Sequence, residues 1–246
     1  LSQTAQAARP PAQQLEYRVL ESRPHNAAVF TQGFVKTAKG FYESGGRYGR
    51  SRLLHYHTDS RKPTQKRRLA ANLFAEGLTL FEDKLYLLTW KAGKTLVFDP
   101  ETLAPLTTLH YQGQGWGLTH NHKHLIMSDG SHRLTFRRAD SFEPVKVLDV
   151  HLQGNPWPRL NELEFIDGEV WANTWLDNRI VTINPDSGEI TGVLDLTRLV
   201  NRHRRGHPGR VLNGIAYDAE KRAVWITGKL WPRMYLLEVS RPEKSP

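Results

Sequence analysis

An all-β fold, a five-bladed β-propeller whose last blade is completed by the N-terminal strand, is predicted by three observations. One polar phrase recurs five times along the 246 residues. Each copy is followed by further short strand-like runs, so that strands come in groups of four at a period of about 40–50 residues, the signature of propeller blades. Seven Trp, eight Tyr and nine Phe favour strands, while helical periodicity is nearly absent outside "LTRLVN", where a turn or two is expected.

The elements follow in order. The opening "LSQTAQAARPPAQQ" is polar and rich in Ala, Gln and Pro. It has no apolar run, so residues 1–15 are expected to be a disordered tail left after removal of an export signal. A single propeller domain is expected over 16–246. "EYRVLES", 16–22, is a strand ahead of the first unit. The first strand of each unit carries the recurring phrase: "VFTQGFV" (29–35), "FAEGLTL" (74–80), "GQGWGLT" (113–119), "RLNELEF" (159–165) and "VLNGIAY" (211–217). One column of the phrase reads Gly33, Gly77, Gly117, Glu162 and Gly214, with spacings of 44, 40, 45 and 52 residues. Second strands are "GFYESG", "KLYLLTW", "HLIMSDG", "EVWANTW" and "AVWITGK", and third strands run from "SRLLHYHT" to "RMYLLEVS". Four units have a fourth strand: "KRRLAA", "PLTTLHY", "VKVLDVHL" and "GVLDLT". The turns between them, such as "FEDK", "DPET", "IDGE" and "PDSGE", carry turn-forming residues. The fifth unit ends after its third strand, so 16–22 is its missing fourth, and its return removes an exposed edge.

The first strand of a blade lines the central channel, and one column of the phrase is chemically rich. It reads Gln32, Glu76, Trp116, Asn161 and Asn213. A second column, at the ends of the second strands, holds Trp90, Asp129, Trp175 and Lys229. Both columns fall at the same mouth of the channel. They propose a pocket walled by Trp90, Trp116 and Trp175, with Glu76, Asn161, Gln32 and Lys229 as its polar groups; an aromatic cavity with a few placed polar groups is the usual form of a small-ligand site. Plainer readings stand beside this one. Tryptophans in such a fold pack between blades, and Trp171 and Trp225 read as core. Asn161 and Asn213 also suit capping turns. Glu76 is the hardest to dismiss, because a carboxylate in an apolar strand needs a partner or a purpose. Glu164 is expected to point away from Asn161 or to bind the neighbouring blade. Trp157 and Trp231, beside prolines, are expected in loops at the mouth.

Composition excludes several classes. There is no Cys, hence neither a disulfide framework nor a thiolate metal site. The eleven His show no metal spacing. No stretch approaches the ~20 apolar residues of a membrane span. The net charge of +9 permits acidic partners. The densest basic run, "NRHRRGHPGR" at 201–210, has no nucleic-acid recognition module around it and reads as a solvated loop.

Nine motifs in order, "FTQG", "FAEGLT", "LYLLTWK", "GWGLT", "SDGS", "LNELE", "WANTW", "LNGIAYD" and "TGKLW", resemble glutaminyl-peptide cyclotransferases (glutaminyl cyclases) of the plant and bacterial type, from about residue 17 to 239. The resemblance implies a five-bladed propeller and an acyltransferase that cyclises N-terminal glutamine of peptides or proteins to pyroglutamate with release of ammonia. It places the catalytic carboxylate on Glu76, the amide and lysine groups on Gln32, Asn161 and Lys229, and the substrate-binding aromatics on Phe30, Trp90, Trp116 and Trp175. It implies no cofactor and no metal, an exported (periplasmic or secreted) protein, and a monomer; neither nucleic acid nor membrane is expected as a partner. One departure is visible: where the family often has Glu two residues before the Trp-Gly pair, this chain has Gln114. Two other classes remain open, a metal-dependent propeller lactonase with Glu76, Asn161, Asn213 and Asp129 around an ion, and a non-enzymatic propeller that binds peptides.

Overall fold

The computed structural model describes residues 11–58, 60 and 62–242. The expected tail therefore lies outside the described residues up to residue 10, and its far boundary is corrected: the chain is already a strand at β1 (Gln13–Pro24). Three residues of the supposed tail, Gln13 to Leu15, pair in parallel with a later strand, which gives their backbone groups partners.

Three four-stranded antiparallel sheets follow, each in sequence order. The first is β2 (Thr31–Thr37), β3 (Gly40–Gly45), β4 (Arg52–His57) and β5 (Gln65–Arg68). The second is β6 (Ala75–Phe81), β7 (Lys84–Thr89), β8 (Lys94–Phe98) and β9 (Pro105–His110). The third is β10 (Leu118–His120), β11 (Leu125–Ser128), β12 (Arg133–Arg137) and β13 (Pro144–Asp149). After a small hairpin, β14 (His151–Leu152) and β15 (Asn155–Pro156), come β16 (Leu160–Ile166), β17 (Glu169–Thr174), β18 (Arg179–Ile183) and β19 (Ile190–Asp195). A helix, α1 (Thr197–Arg204), leads to β20 (Leu212–Asp218), β21 (Ala223–Gly228) and β22 (Arg233–Ser240). These last strands form one eight-stranded sheet, in the order β16-β17-β18-β19-β1-β22-β21-β20. It divides at β1, which is antiparallel to β22 over Glu16–Pro24 and parallel to β19 only at its start. The first strand of the chain thus completes the group begun by β20, as the repeat requires.

Hairpin chemistry is local. Glu82 and Asp83 both have positive φ (47° and 58°), as do Asp167 and Gly168 (49° and 85°). Two consecutive residues in that region match the twist of the flanking strands. The basic run 201–210 is only in part a loop: its first four residues belong to α1, which buries Leu199, Val200 and His203. His203 stacks on Trp231 at 4.3 Å. Trp231 lies in the loop between β21 and β22, as expected, but its ring is fully buried in the core. Trp171 and Trp225 are core, as expected. No helix among the described residues is long and apolar enough to cross a membrane.

Apolar side chains fill the spaces between neighbouring sheets. Leu53 of the first sheet packs with Leu78 and Leu87 of the second. Leu88 packs with Leu125, Phe136 with Val181, Ile180 with Ile226, and Trp225 returns to Phe34 and Phe41. The innermost strands touch in the cyclic order β2, β6, β10, β16, β20 and again β2. At this ring the approach is so close that glycine is required. A Cβ on Gly77 would lie 2.5 Å from the Leu118 nitrogen, and one on Gly117 would lie 1.9 Å from the Asn161 oxygen.

Glu162 occupies the one phrase position that is not glycine, and its side chain crosses the axis. Its Oε1 accepts the Phe34 N–H on β2 at 3.3 Å, and its Oε2 accepts the Ile215 N–H on β20 at 2.8 Å. Burial, with Glu164 close by, pushes its carboxyl well above the usual carboxylate range, against the pull of the two N–H donors. Glu164 goes elsewhere: burial pushes it up to about 8 while the Tyr217 N–H on the neighbouring β20 binds it.

The axial bridge makes a prediction. Glu162→Gln keeps the length of the side chain but sets an amide donor against one of the two N–H groups. Leaving a buried donor without an acceptor costs about 1–3 kcal/mol, so the urea midpoint is expected to fall accordingly. An unchanged midpoint would show that the bridge contributes nothing to stability.

Candidate functional site

Four of the five recurring phrases break the strand ladder. Pairing is irregular between Thr31 and Gly33, Ala75 and Leu78, Leu160 and Leu163, and Leu212 and Ile215. Such bulges re-aim side chains at the rim of a sheet. The backbone groups they free are taken by second-strand side chains of the preceding group. Ser44 Oγ donates to the Glu76 carbonyl at 2.5 Å, Ser128 Oγ donates to the Asn161 carbonyl at 2.6 Å, and Asn173 Oδ1 accepts the Gly214 N–H at 2.9 Å. The bulges are therefore anchored from the preceding sheet, and what they aim is fixed.

They aim at one cavity of about 420 Å³. All eight residues expected there line it: Phe30, Gln32, Glu76, Trp90, Trp116, Asn161, Trp175 and Lys229. Phe74 lines it too and was not foreseen. The repeat held the signal, since Phe74 precedes Glu76 by the same two positions as Phe30 precedes Gln32. Asn213 belongs to the ring but is fully buried behind the cavity, where its Nδ2 donates to the Thr31 carbonyl at 2.9 Å and to Gln32 Oε1 at 3.3 Å. Asp129 caps its own turn, accepting from the Ser131 N–H at 2.9 Å and from its hydroxyl. Trp157 does not line the cavity; its indole N–H donates to Thr174 Oγ1 at 2.9 Å. Among the described residues no group of three His, Cys, Asp or Glu is placed to hold a metal ion.

The polar floor is a chain of amides ending in a carboxylate. Asn213 holds Gln32, whose Nε2 donates to Glu76 Oε1 at 3.1 Å. Glu76 is 5% exposed and Lys229 4%. Burial pushes the Glu76 carboxyl well above its ordinary range, and the Lys229 charge opposes this. Burial likewise pushes Lys229 down to about 8, with Glu76 opposing. The Lys229 ammonium lies 4.7 Å from the centre of the Phe30 ring, a favourable place for a cation. Asn161 Oδ1 is buried without a hydrogen-bond partner.

The walls are aromatic and mutually braced. Trp116 and Trp175 meet edge to face at 5.7 Å, and Phe74 meets Trp90 at 5.5 Å. Trp175, 39% exposed, forms the outer lip. Gln114 ties the wall from outside: its Oε1 accepts the indole N–H of Trp90 at 2.8 Å and that of Trp116 at 3.1 Å. Polar groups at the bottom and rings around them suit a small, flexible, amine- or amide-bearing group, which would be held, dried and offered both a proton acceptor and donors.

Comparison with known proteins follows this geometry. The sequence matches the glutamine cyclotransferase family over residues 1–239. A glutaminyl-peptide cyclotransferase of Arabidopsis thaliana is 34% identical over 233 residues, which cover 92% of this chain and 72% of that protein. The crystal structure of a glutaminyl cyclase of Myxococcus xanthus superposes with a TM-score of 0.87 at 33% identity, covering 94% of this chain and all of the other. A β-propeller domain from Myceliophteria thermophila has a TM-score of 0.53 at 11% identity over 92% of this chain, a likeness of fold alone.

The Gln114 bridge can be tested directly. Gln114→Leu removes the single acceptor shared by two indoles, so Trp90 and Trp116 are expected to move more freely. Acrylamide should then quench tryptophan emission more strongly than in the parent protein, with far-UV circular dichroism unchanged. Equal quenching would show that ring packing alone orders the wall.

Proposed function

The chain belongs to the glutamine cyclotransferase family, and we propose that its mouth cavity cyclises the N-terminal glutamine of peptides and proteins to pyroglutamate, releasing ammonia. The observation that carries this is Glu76: a buried carboxylate, oriented by Gln32 and opposed by Lys229, at the floor of an aromatic cavity. The architecture is read as five blades, the last made of β20, β21, β22 and β1. The cyclic order of the inner strands and the apolar packing between successive groups support that count.

In this reaction the substrate's α-amine attacks the carboxamide carbon of its own side chain. A C–N bond forms, closing a five-membered ring, and the carbonyl electrons move to oxygen. When they return, the bond to the side-chain nitrogen breaks, and that nitrogen leaves with a proton that began on the amine. One group near both nitrogens can carry the proton. Glu76 fits, because it is a carboxyl at the cavity floor whose burial raises its affinity for a proton. Gln32 holds one of its oxygens, which leaves the other for the amine. Asn161, through its amide nitrogen, and Lys229 are read as the donors to the oxyanion. The rings of Trp90, Trp116, Trp175, Phe30 and Phe74 confine the glutamine side chain in its ring-closing conformation. The proton, the electrons and the leaving group are all accounted for by the substrate and these side chains.

Ammonia release from matched peptides beginning with Gln, Asn or acetyl-Gln, each with and without chelator, tests the reading. Only the Gln peptide is expected to react, and chelation should leave its rate unchanged. Asn has one methylene fewer and would have to close a four-membered ring; the acetylated nitrogen is not nucleophilic. Turnover of the acetylated peptide would point to a hydrolytic amidase and overturn the assignment. Activity lost with chelator and restored by one added ion would favour the lactonase-like class.

Glu76→Gln should lower turnover by about 100-fold or more, the scale of a general acid–base, with the circular dichroism spectrum retained. Near-normal turnover would remove Glu76 from the mechanism. Lys229→Met removes the charge that holds the Glu76 carboxyl down. The acid limb of the pH–rate profile should therefore move to higher pH, and comparison on one peptide keeps the substrate amine's own titration constant. A limb that stays in place would show that Lys229 does not act on Glu76.

A further inference from the structure

Beside the aromatic cavity, and sharing Phe30 with it, lies a second recess of about 250 Å³. Four arginines line it: Arg47, Arg50, Arg52 and Arg68. Arg47 and Arg50 come from the turn between β3 and β4, Arg52 opens β4, and Arg68 ends β5. That turn is at the same mouth as the cavity. A Cβ on Gly46 would meet the Phe74 ring at 2.3 Å, and Tyr48 packs edge-on against Phe74 at 5.4 Å.

The turn is held firmly. The Gly46 N–H donates to the Phe30 carbonyl at 2.9 Å, and the Gly49 N–H donates to the Ala71 carbonyl at 2.9 Å. Ser51 Oγ donates to the Arg47 carbonyl at 2.8 Å and accepts the Ala75 N–H at 2.9 Å, which links the turn to the residue before Glu76. Arg47 itself has φ at 113°, a strained conformation for a residue with a side chain. Strain of this kind persists where the surroundings over-determine it, and it concentrates at ligand clamps. Its guanidinium lies 4.6 Å from the centre of the Phe30 ring, on the partition between the two recesses. Arg52 spends one donor on the Ala28 carbonyl at 2.8 Å.

None of the four arginines is ion-paired with a carboxylate among the described residues. Elsewhere Arg18 pairs with Glu238, Arg179 with Asp177 and Arg241 with Glu169. Four like charges gathered in a concave surface repel one another and focus a positive field toward its opening. A carboxylate entering there relieves the repulsion and meets planar forks that suit it.

We propose that this recess is a specificity subsite for an acidic side chain in the first few residues after the N-terminal glutamine, so that the preferred substrates are peptides with an acidic residue near their N-terminus. This rests on the cyclase reading. With glutamine seated among the rings, the following residues leave over Phe30, and an extended chain gains only about 3.3 Å per residue, so the first few residues are the ones within reach.

The test compares kcat/KM for Gln-Ala-Ala-Ala amide with peptides carrying Asp, or Lys, at the second, third or fourth position, at low ionic strength. An unamidated Gln-Ala-Ala-Ala separates a terminal carboxylate from an acidic side chain as the recognised group. The best Asp peptide should exceed its Lys counterpart by about 5- to 10-fold, the scale of one or two partly exposed ion pairs, mostly through KM. In the double variant Arg50→Gln, Arg68→Gln that ratio should fall toward one. A control, Lys84→Gln with Arg138→Gln, removes two charges from turns at the opposite end of the strands and should keep it. No Asp preference in the parent protein, or equal loss in the control, overturns the subsite; equal loss would assign the preference to overall charge. A preference confined to the unamidated peptide also overturns it. If no Gln peptide releases ammonia, it is the cyclase reading that fails.

Discussion

The structure depends on how closely five strands can approach a common axis. Backbone meets backbone there at distances that admit no side chain, which is why Gly77 and Gly117 stand where the adjacent strand passes. One position in the ring breaks the rule, and its side chain is long enough to reach across. Glu162 takes an N–H from β2 and another from β20. It joins strands that are far apart in sequence and gives otherwise unpaired donors an acceptor where water has little access. The carboxylate at the axis is therefore architectural, and the carboxylate at the mouth, Glu76, is chemical. The two sit in adjacent columns of the same repeated phrase.

That close packing also places the site. Strands that pinch together at the axis cannot keep a regular ladder, and the phrase bulges in four of the five copies. Bulging turns Gln32, Glu76, Asn161 and Asn213 out of the pleat and frees backbone groups, which Ser44, Ser128 and Asn173 of the preceding sheets take up. The polar floor is thus carried by rigid elements and not by loops, so its geometry survives the desolvation that raises Glu76 and lowers Lys229. A mutual field between the two opposes each shift.

Around this floor the rings supply shape and the rim supplies charge. Gln114 bridges two indoles from outside, a role open to an amide or a carboxylate oxygen alike, so the departure from the family's usual Glu leaves the wall standing. The positive residues of a +9 chain are not spread evenly. Four of them gather at the edge of Phe30 without carboxylate partners among the described residues, while others are paired elsewhere.

By itself the sequence determined the all-β class, the repeat, the return of the first strand to the last group, and seven residues of the cavity, with Phe30 implied by the family resemblance alone. These are local or periodic properties: each phrase states its own strand and polar member, and a column of a repeat maps onto one ring in space. Only the tertiary structure decided where Glu162 points, that Trp231 is buried against His203, that Phe74 completes the wall, and that the strand at the N-terminus begins at Gln13. The physical reason is common to all four. A bulge shifts the alternation of side chains, so counting along a strand no longer tells which face Glu162 or Glu164 takes. Burial of a ring or pairing of an edge depends on residues of other elements, and those contacts exist only once the ring has closed.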